Sequence, residues 1–188
     1  PLLVAVGAGL LASCAPTTDS TTRMPVSGSV RPSGDATASN KLAGNLHREV
    51  NNYRASIGAS KLQRHAGLDK LAQAHCEYLR DHKGSFKLDG KYVSHVGFQG
   101  RTLYARQAYN MHNLSENVAA ASHPGSAPEK TMLRIWKNSK EHHSNLKDEW
   151  THTGLGVVVD DDGMVYATQL FSTVSNFQMV SRERFNQF

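Results

Sequence analysis

Apolar residues recur at helical spacing in two stretches of the chain that begin after residue 40. In the first stretch the large apolar positions are Leu42, Leu46, Val50 and Tyr53, with polar residues between them. Spacings of three and four place such side chains on one face of an α-helix. The pattern therefore predicts an amphipathic helix from about Lys41 to Gly58, where the periodicity ends.

A second apolar stripe lies between residues 67 and 82. Its members are Leu68, Leu71, Ala72, His75, Cys76 and Leu79. They predict a helix in which His75 is a buried core histidine rather than a ligand, and Cys76 a small buried hydrophobe. Two further helices are predicted, over residues 102–109 and from about Pro128 to Trp136, with Trp136 as a core anchor.

The period changes in the C-terminal third of the chain. The segments "THTGLGVVV" and "MVYATQLF" are rich in β-branched and aromatic residues, and "DDDG" lies between them. This pattern predicts a β-hairpin. No glutamate follows the aspartates at the spacing that closes a calcium loop, so we interpret them as a turn. Four helices followed by a hairpin predict an α+β domain over residues 41–172, with 173–188 as a C-terminal tail.

The N-terminal residues 1–13 are apolar or small and carry no charge. They are too few to span a bilayer, which takes ~20 residues, but they have the length of a signal-peptide h-region. The sequence "LASC" at their end resembles the bacterial lipobox, whose cysteine receives a lipid anchor. We therefore assign 1–14 to an h-region and lipobox with Cys14 lipidated, and expect the true start to precede residue 1. A buried strand ending in a chance cysteine is the alternative.

Residues 15–40 are rich in Ser, Thr, Pro, Gly and Ala and hold almost no large apolar side chains. Such a segment buries too little surface to offset the entropy lost on ordering, so we predict a disordered linker. A flexible chain of this length would hold a domain roughly 25–30 Å from a membrane.

Charge and cysteine content narrow the partners. The chain of 188 residues has 21 Lys and Arg against 16 Asp and Glu, a net charge of +5, which favours anionic partners. The cations form no long run, so we expect no nucleic-acid partner. With Cys14 lipidated only Cys76 remains, and no disulfide is expected.

Five segments, in order, resemble the CAP superfamily (cysteine-rich secretory proteins, antigen 5, pathogenesis-related 1) over about residues 42–172. "LHREVNNYRASIGASKLQRHAGLDKLAQAHCEYL" resembles its two opening helices, and "SHVGFQGRTLYARQAY" the bacterial segment with its first histidine. "SENVA" is similar to G-E-N-[IV]-A, "WKNSKEHHSNL" to W-x-x-S-P-G-H-x-x-N-[IL], and "TGLGVVVDDDGMVYATQLF" to the closing hairpin.

The resemblance implies an α-β-α sandwich, with a small, three-stranded antiparallel sheet between helices and a wide cavity on one side. In the family's eukaryotic members the cavity holds two histidines and two acidic residues. By motif, His95 and His142 take the histidine positions and Glu116 the first acid, while Ser139 stands where the second acid would be. Some members bind a divalent metal such as zinc through the histidines, so His95 and His142 are the expected metal ligands.

One departure from the motif leaves an alternative open. Lys140 and Glu141 replace the Pro and Gly of the S-P-G-H turn, and both are good helix formers. If the helix through Trp136 continues, His143 rather than His142 shares its face and becomes the alternative ligand.

Together with the lipobox-like segment, the resemblance implies a non-enzymatic binding module outside the cytoplasm, anchored to a bacterial cell membrane or outer membrane through Cys14. A lipid, a cell-envelope polymer or a protein is the expected ligand. The alternative is a metal-dependent hydrolase that uses His95, His142 and Glu116. The sequence lacks H-E-x-x-H and G-x-S-x-G, which argues against an ordinary zinc protease and against Ser139 as a nucleophile.

Overall fold

Five helices and four strands are formed by residues 36–85 and 94–174, which are the residues that this computed structural model describes. The predicted h-region and lipobox at 1–14, residues 15–35 of the predicted linker and nearly all of the C-terminal tail lie outside them. In chain order the elements are α1 (Ala36–Ser56), β1 (Gln63–Arg64), α2 (Ala66–Asp81), α3 (Phe98–Tyr109), β2 (Met111–Ser122), α4 (Pro128–Lys137), α5 (Lys140–Lys147), β3 (His152–Val159) and β4 (Met164–Val174).

The strands form one sheet in the order β1-β3-β4-β2. Strands β3 and β4 are the predicted hairpin, and Gly163 in its turn has φ +76°, a left-handed conformation that glycine adopts readily. Strand β2 pairs antiparallel with the other side of β4, whereas β1 adds only two residues parallel to β3. The predicted α+β class is confirmed.

Helices cover both faces of the sheet, and successive side chains of each strand pack alternately against one face and the other. Leu155 and Val157 of β3 pack with Trp136 on the face covered by α1, α4 and α5. Val158 of β3 faces the other side and packs with Cys76 of α2. Helix α3 joins α2 on that second face. The result is the α-β-α sandwich that the family resemblance implied.

Helix α2 lies against β3 without side chains between their backbones. A Cβ atom at Gly154 would overlap the backbone of Leu68, and one at Gly156 would overlap the backbone of Ala72 and Gln73. Two α2 side chains use this closeness. Asp69 Oδ1 accepts a hydrogen bond from Leu155 N at 2.8 Å, and Gln73 Oε1 accepts one from Val157 N at 3.1 Å. The helix thus satisfies backbone donors of β3 beyond its short pairing with β1.

Two helix starts differ from the sequence prediction. Helix α1 begins at Ala36, so residues 36–40 are helical rather than linker, and Ser39 is buried. Once a helix has nucleated, each added residue gains a hydrogen bond at little cost, which lets linker-like residues extend it. Helix α3 begins at Phe98, four residues before the predicted start at 102. None of the described helices is long and apolar enough to cross a membrane.

Strand β2 is an addition to the predicted order of four helices followed by a hairpin. It lies between α3 and α4, and its sequence "MHNLSENVAAAS" has no regular alternation of β-branched residues. Its centre is buried on both faces by helices, so small residues replace the alternation that a half-exposed strand would show.

The contact between α2 and β3 predicts opposite effects for two glycine-to-alanine substitutions. Gly156→Ala should lower the free energy of unfolding by about 1–3 kcal/mol, because backbone atoms of α2 must move to admit the methyl group. In Gly44→Ala, within α1, the new methyl group would contact only Arg64 Nη1 at 4.0 Å. This substitution should raise the free energy of unfolding by about 0.5–1 kcal/mol, because alanine favours the helix more than glycine does. Urea denaturation measures both. Equal effects of the two substitutions would contradict this packing.

Candidate functional site

A buried ion pair between helix α3 and strand β2 lies at the centre of the site. Arg101 of α3 donates from Nε to Glu116 Oε2 at 2.7 Å and from Nη2 to Glu116 Oε1 at 2.9 Å. The two side chains are only 3% and 1% exposed. Planar, bidentate pairing of this kind fixes the orientation of both groups. Glu116 is therefore held on the sheet face that α2 and α3 cover.

His95 is attached to the same carboxylate. Its Nδ1 lies 2.8 Å from Glu116 Oε1, and because a carboxylate can only accept, Nδ1 is the donor. The His95 side chain is 46% exposed, so its other face is open to solvent. Arg101 Nη1 also donates to the carbonyl of Val96 at 2.9 Å. One arginine thus positions both the carboxylate and the loop that carries His95.

His75 lies on the inner side of this loop. It is buried, as the α2 pattern predicted, and its Nε2 lies 2.9 Å from the carbonyl of Ser94, next to His95. Burial lowers the pKa of His75 to about 4, and the attraction of Glu116 offsets only part of that effect. His75 is therefore neutral at pH 7 and supports the His95 loop by donating from Nε2.

The helix through Trp136 does not continue, so the single long helix on which the His143 alternative depended is not formed. Helix α4 ends at Lys137, and Ser139 has φ −101° and ψ 128°, an extended conformation. Its Oγ accepts from His142 N at 3.5 Å and so caps the N-terminus of α5. A serine cap thus makes the break for which the family motif uses Pro and Gly.

The break directs the two adjacent histidines to different neighbours. His142 is buried, and its ring centroid lies 6.2 Å from that of His95. His143 is hydrogen-bonded through Nε2 to the hydroxyl of Tyr53 on α1. Strand β2 helps to hold this arrangement, since Asn117 Nδ2 donates to the carbonyl of His142 at 3.0 Å.

The structure thus brings together three of the four predicted site residues: His95, Glu116 and His142. The fourth, Ser139, caps α5 and donates from Oγ to Glu141 Oε2 at 3.2 Å. Ser139 meets His142 only through the backbone N–H of that residue, and in the described part of the chain no hydrogen bond joins its side chain to the side chain of any of the other three.

Arg101 was not predicted as a site residue. An arginine in a weakly amphipathic helix is ordinarily predicted to be exposed to solvent. The only signal that could have identified Arg101 is that a buried glutamate needs a positively charged partner.

The site provides two nitrogen donors for a metal. Glu116 holds His95 by Nδ1, which leaves Nε2 free, as in carboxylate–histidine–metal arrangements. His142 Nδ1 is buried, and no residue within 36–85 or 94–174 forms a hydrogen bond with it. Burial, and then the charge of His95, lower the pKa of His142, which favours the neutral imidazole that binds metals.

The fit to a metal ion is partial. Among residues 36–85 and 94–174, no group of three or more His, Cys, Asp or Glu side chains is arranged to hold one. Zinc sites in proteins ordinarily use three or four protein ligands. A metal held by His95 and His142 would take its remaining ligands from water or from a bound molecule.

The α-β-α sandwich is a fold that this chain shares with a bacterial protein containing an SCP domain. The family model of CAP, the cysteine-rich secretory protein family, matches residues 47–171. The chain belongs to this family. The resemblance inferred from the five sequence segments is thereby confirmed.

Solved structures from bacteria share the fold. An outer surface protein from Borrelia burgdorferi aligns with a TM-score of 0.58 and 15% identity, over 76% of this chain and 98% of that protein. An extracellular protein containing an SCP domain from Bacillus anthracis aligns at 0.56 and 26%, over 78% of this chain and 45% of that one. A cysteine-rich secretory protein from Staphylococcus aureus aligns at 0.54 and 18%, over 73% and 40%.

The chain therefore spans less than half of the Bacillus and Staphylococcus proteins. No curated protein matches the chain.

The buried ion pair predicts a large penalty when one partner is removed. Arg101→Met should lower the free energy of unfolding by about 3–5 kcal/mol, because Glu116 stays buried without its counter-charge. Adding Glu116→Gln should recover much of this loss. The matched control is Arg64→Met, which breaks the more exposed Arg64–Asp69 pair and should cost about 1 kcal/mol or less. Urea denaturation that finds similar costs for Arg101→Met and Arg64→Met would contradict the assignment.

Proposed function

We propose that this chain is a non-enzymatic binding module that works outside the cytoplasm. A lipid on Cys14 would anchor it to a bacterial cell membrane or outer membrane, with residues 15–35 as the tether. The site around His95, Glu116 and His142 would engage a lipid, a cell-envelope polymer or a protein. A divalent metal such as zinc, held by the two histidines, would modulate that binding.

The observation that favours binding over catalysis is that Glu116 is already fully hydrogen-bonded within the protein. Both of its carboxylate oxygens already accept hydrogen bonds, from Arg101 and from His95, and its side chain is 1% exposed. A general base must reach the proton that it abstracts, and this carboxylate is shielded by its own partners.

The nucleophile candidates in the described residues point the same way. Ser139 Oγ serves as a helix cap and donates to Glu141 rather than to a histidine base. Burial raises the pKa of Cys76 to about 12, and its thiol lies within the sheet–helix core. A thiol of that kind is inert because the reactive form is the thiolate.

The extracytoplasmic location is supported from two directions. Members of this family are typically extracellular, and the Borrelia and Bacillus structures are of an outer surface protein and an extracellular protein. Within this chain, the uncharged residues 1–13 and the "LASC" sequence that ends at Cys14 support export and lipidation. An anchored binding module would meet its ligand at the envelope surface.

A metal-dependent hydrolase is the second candidate, and one observation favours it. The hydrogen bond from His95 Nδ1 to Glu116 is the arrangement by which enzymes orient a metal-binding imidazole. A metal on His95 and His142 would supply a Lewis acid and a bound water. In that case Glu116 would orient His95, and the water bound to the metal would be activated by the metal itself rather than by Glu116 as a general base.

A zinc titration of the chain by calorimetry tests the metal site. His95→Ala and His142→Ala should each weaken binding by about 10–100-fold, since each removes one of two donors. The matched control is His143→Ala, which removes the neighbouring imidazole that contacts Tyr53 and should leave binding unchanged.

The outcomes separate the candidates. Zinc binding that depends equally on His143 would reject the assigned pair of ligands. Zinc-dependent hydrolysis of ester or peptide substrates, lost in His142→Ala, would replace the binding module with the hydrolase. Absence of zinc binding would remove the metal and leave the binding module to be tested with envelope lipids and polymers.

A further inference from the structure

Helix α3 carries exposed apolar residues on the side that faces away from the sheet. Among the described residues four large apolar side chains are exposed, and three of them are Val96, just before α3, and Leu103 and Tyr104 within it. Gly100 and Ala108 are exposed as well. Gly100 precedes this pair by three and four positions, and Ala108 follows Tyr104 by four, so all four lie on one side of the helix. We call Gly100, Leu103, Tyr104 and Ala108 the α3 stripe.

The opposite side of α3 is the one that contacts the rest of the domain. Arg101 and Ala105 are buried there, Arg101 on Glu116 and Ala105 in the cluster that α2 and the sheet share. Exposed apolar residues that stand singly are normal on a protein surface, whereas a contiguous apolar surface marks a site of interaction. The α3 stripe is such a surface, and within residues 36–85 and 94–174 nothing covers Leu103 or Tyr104.

The stripe adjoins the place where the last strand ends. The Tyr104 ring contacts the Tyr109 ring edge-on, with centroids 5.6 Å apart. Tyr109 and Val174, the last residue of β4, pack against the same buried cluster, which includes Ala105 and Met111. Val174 also pairs with Met111 in the sheet. The chain therefore leaves β4 at the C-terminal end of α3, beside the stripe.

Residues 175–188, which follow β4 and lie outside the described residues, are rich in large apolar side chains. Their sequence is "SNFQMVSRERFNQF". It holds three of the six phenylalanines of the chain, Phe177, Phe185 and Phe188, together with Met179 and Val180. Segments that stay in water hold few such residues, because exposing each one is unfavourable. The composition of this segment therefore calls for an apolar surface on which to bury it.

We propose that the α3 stripe is the docking surface for residues 175–188 of the same chain. The lengths agree with this assignment. From Tyr109 back to Gly100, α3 runs for about 13.5 Å, and residues 175–188 span about 21 Å even at the short rise of a helix. The segment is thus long enough to cover the whole stripe and to reach Val96, next to His95.

A second copy of the chain is the competing occupant. The attached segment is favoured because a tether that begins beside a surface gives an effective concentration of order millimolar, whatever the concentration of the protein. Burial of its phenylalanines on Leu103 and Tyr104 removes both sets of apolar side chains from water. The stripe shares no residue with His95, Glu116 and His142, so this proposal does not rest on the proposed function of the histidine site.

Photo-crosslinking in the full 188-residue chain tests the docking. Tyr104→p-benzoylphenylalanine keeps an aromatic side chain in the stripe and reacts with whatever lies against it. After irradiation, mass spectrometry of the digested monomer should find residue 104 joined to a peptide from 175–188. The matched control is Lys130→p-benzoylphenylalanine, an exposed position of α4 beside the far end of β2, which should give no such product.

Two triple variants of the segment, each combined with the label at Tyr104, separate docking from chance collision of a tethered chain. Both keep the length and the net charge of the segment. The apolar variant, in which phenylalanines are replaced, should lower the cross-linking yield about tenfold or more, because burial of one phenylalanine already shifts an equilibrium by that much. The polar variant should stay within about twofold of the unsubstituted segment. The apolar variant is Phe177→Ser, Phe185→Ser and Phe188→Ser, and the polar variant is Gln178→Ser, Asn186→Ser and Gln187→Ser.

Cross-links within one chain that the apolar variant loses and the polar variant keeps support the proposal. Equal yields in the two triple variants would show collision without docking and would overturn it. Products that join two chains through residue 104 would assign the stripe to a second copy instead. Absence of any product with residues 175–188 would likewise reject the docking. Melting temperatures verify that every variant is folded.

Discussion

The pairing of Arg101 with Glu116 holds the histidine site together. It joins helix α3 to strand β2 in a region where both side chains are almost fully buried. Taking two charges out of water is costly, and only good geometry with further hydrogen bonds repays that cost. Here the bidentate contact, the bond from His95 and the bond to the Val96 carbonyl provide them. The orientation of His95 therefore depends on the Arg101–Glu116 ion pair, to which His95 adds one further hydrogen bond.

The sheet positions the second half of the site from its opposite face. Glu116 and Asn117 are neighbours on β2, and their side chains alternate between the two faces. Glu116 binds His95 on one side, whereas Asn117 donates to the carbonyl of His142 and accepts from Asn145 on the other. Two adjacent residues of one strand thus fix both histidine-bearing segments. Ser139 completes this arrangement, because it separates α4 from α5 by capping the N-terminus of α5. His143 then contacts Tyr53 of α1, and His142 does not.

The elements that could be predicted from the sequence are those in which apolar residues recur at a regular spacing along the chain. Helix α2 and the β3–β4 hairpin followed directly from their patterns, and family motifs carried His95, Glu116 and His142. The family resemblance implied a third antiparallel strand, but the apolar pattern did not locate β2, because burial on both faces replaces alternation with small residues.

Arg101 and the α3 stripe were missed for a related reason. Arg101 is buried only because Glu116 approaches it from another element. Leu103 and Tyr104 are the large apolar residues at the centre of α3, yet the domain core lies against Ala105 on the other side of the helix. Contacts between distant segments decide both features, and local patterns do not record them.

The state of the His95 ring tests the central claim most directly. If Glu116, fixed by Arg101, accepts from His95, then neutral His95 carries its proton on Nδ1 and leaves Nε2 free for a ligand. Long-range ¹H–¹⁵N correlation spectra of the protein at about pH 8, assigned with a His95→Ala variant, distinguish the two tautomers. The account predicts the Nδ1–H tautomer for His95. A dominant Nε2–H tautomer would mean that Glu116 does not hold His95, and would contradict the site described here.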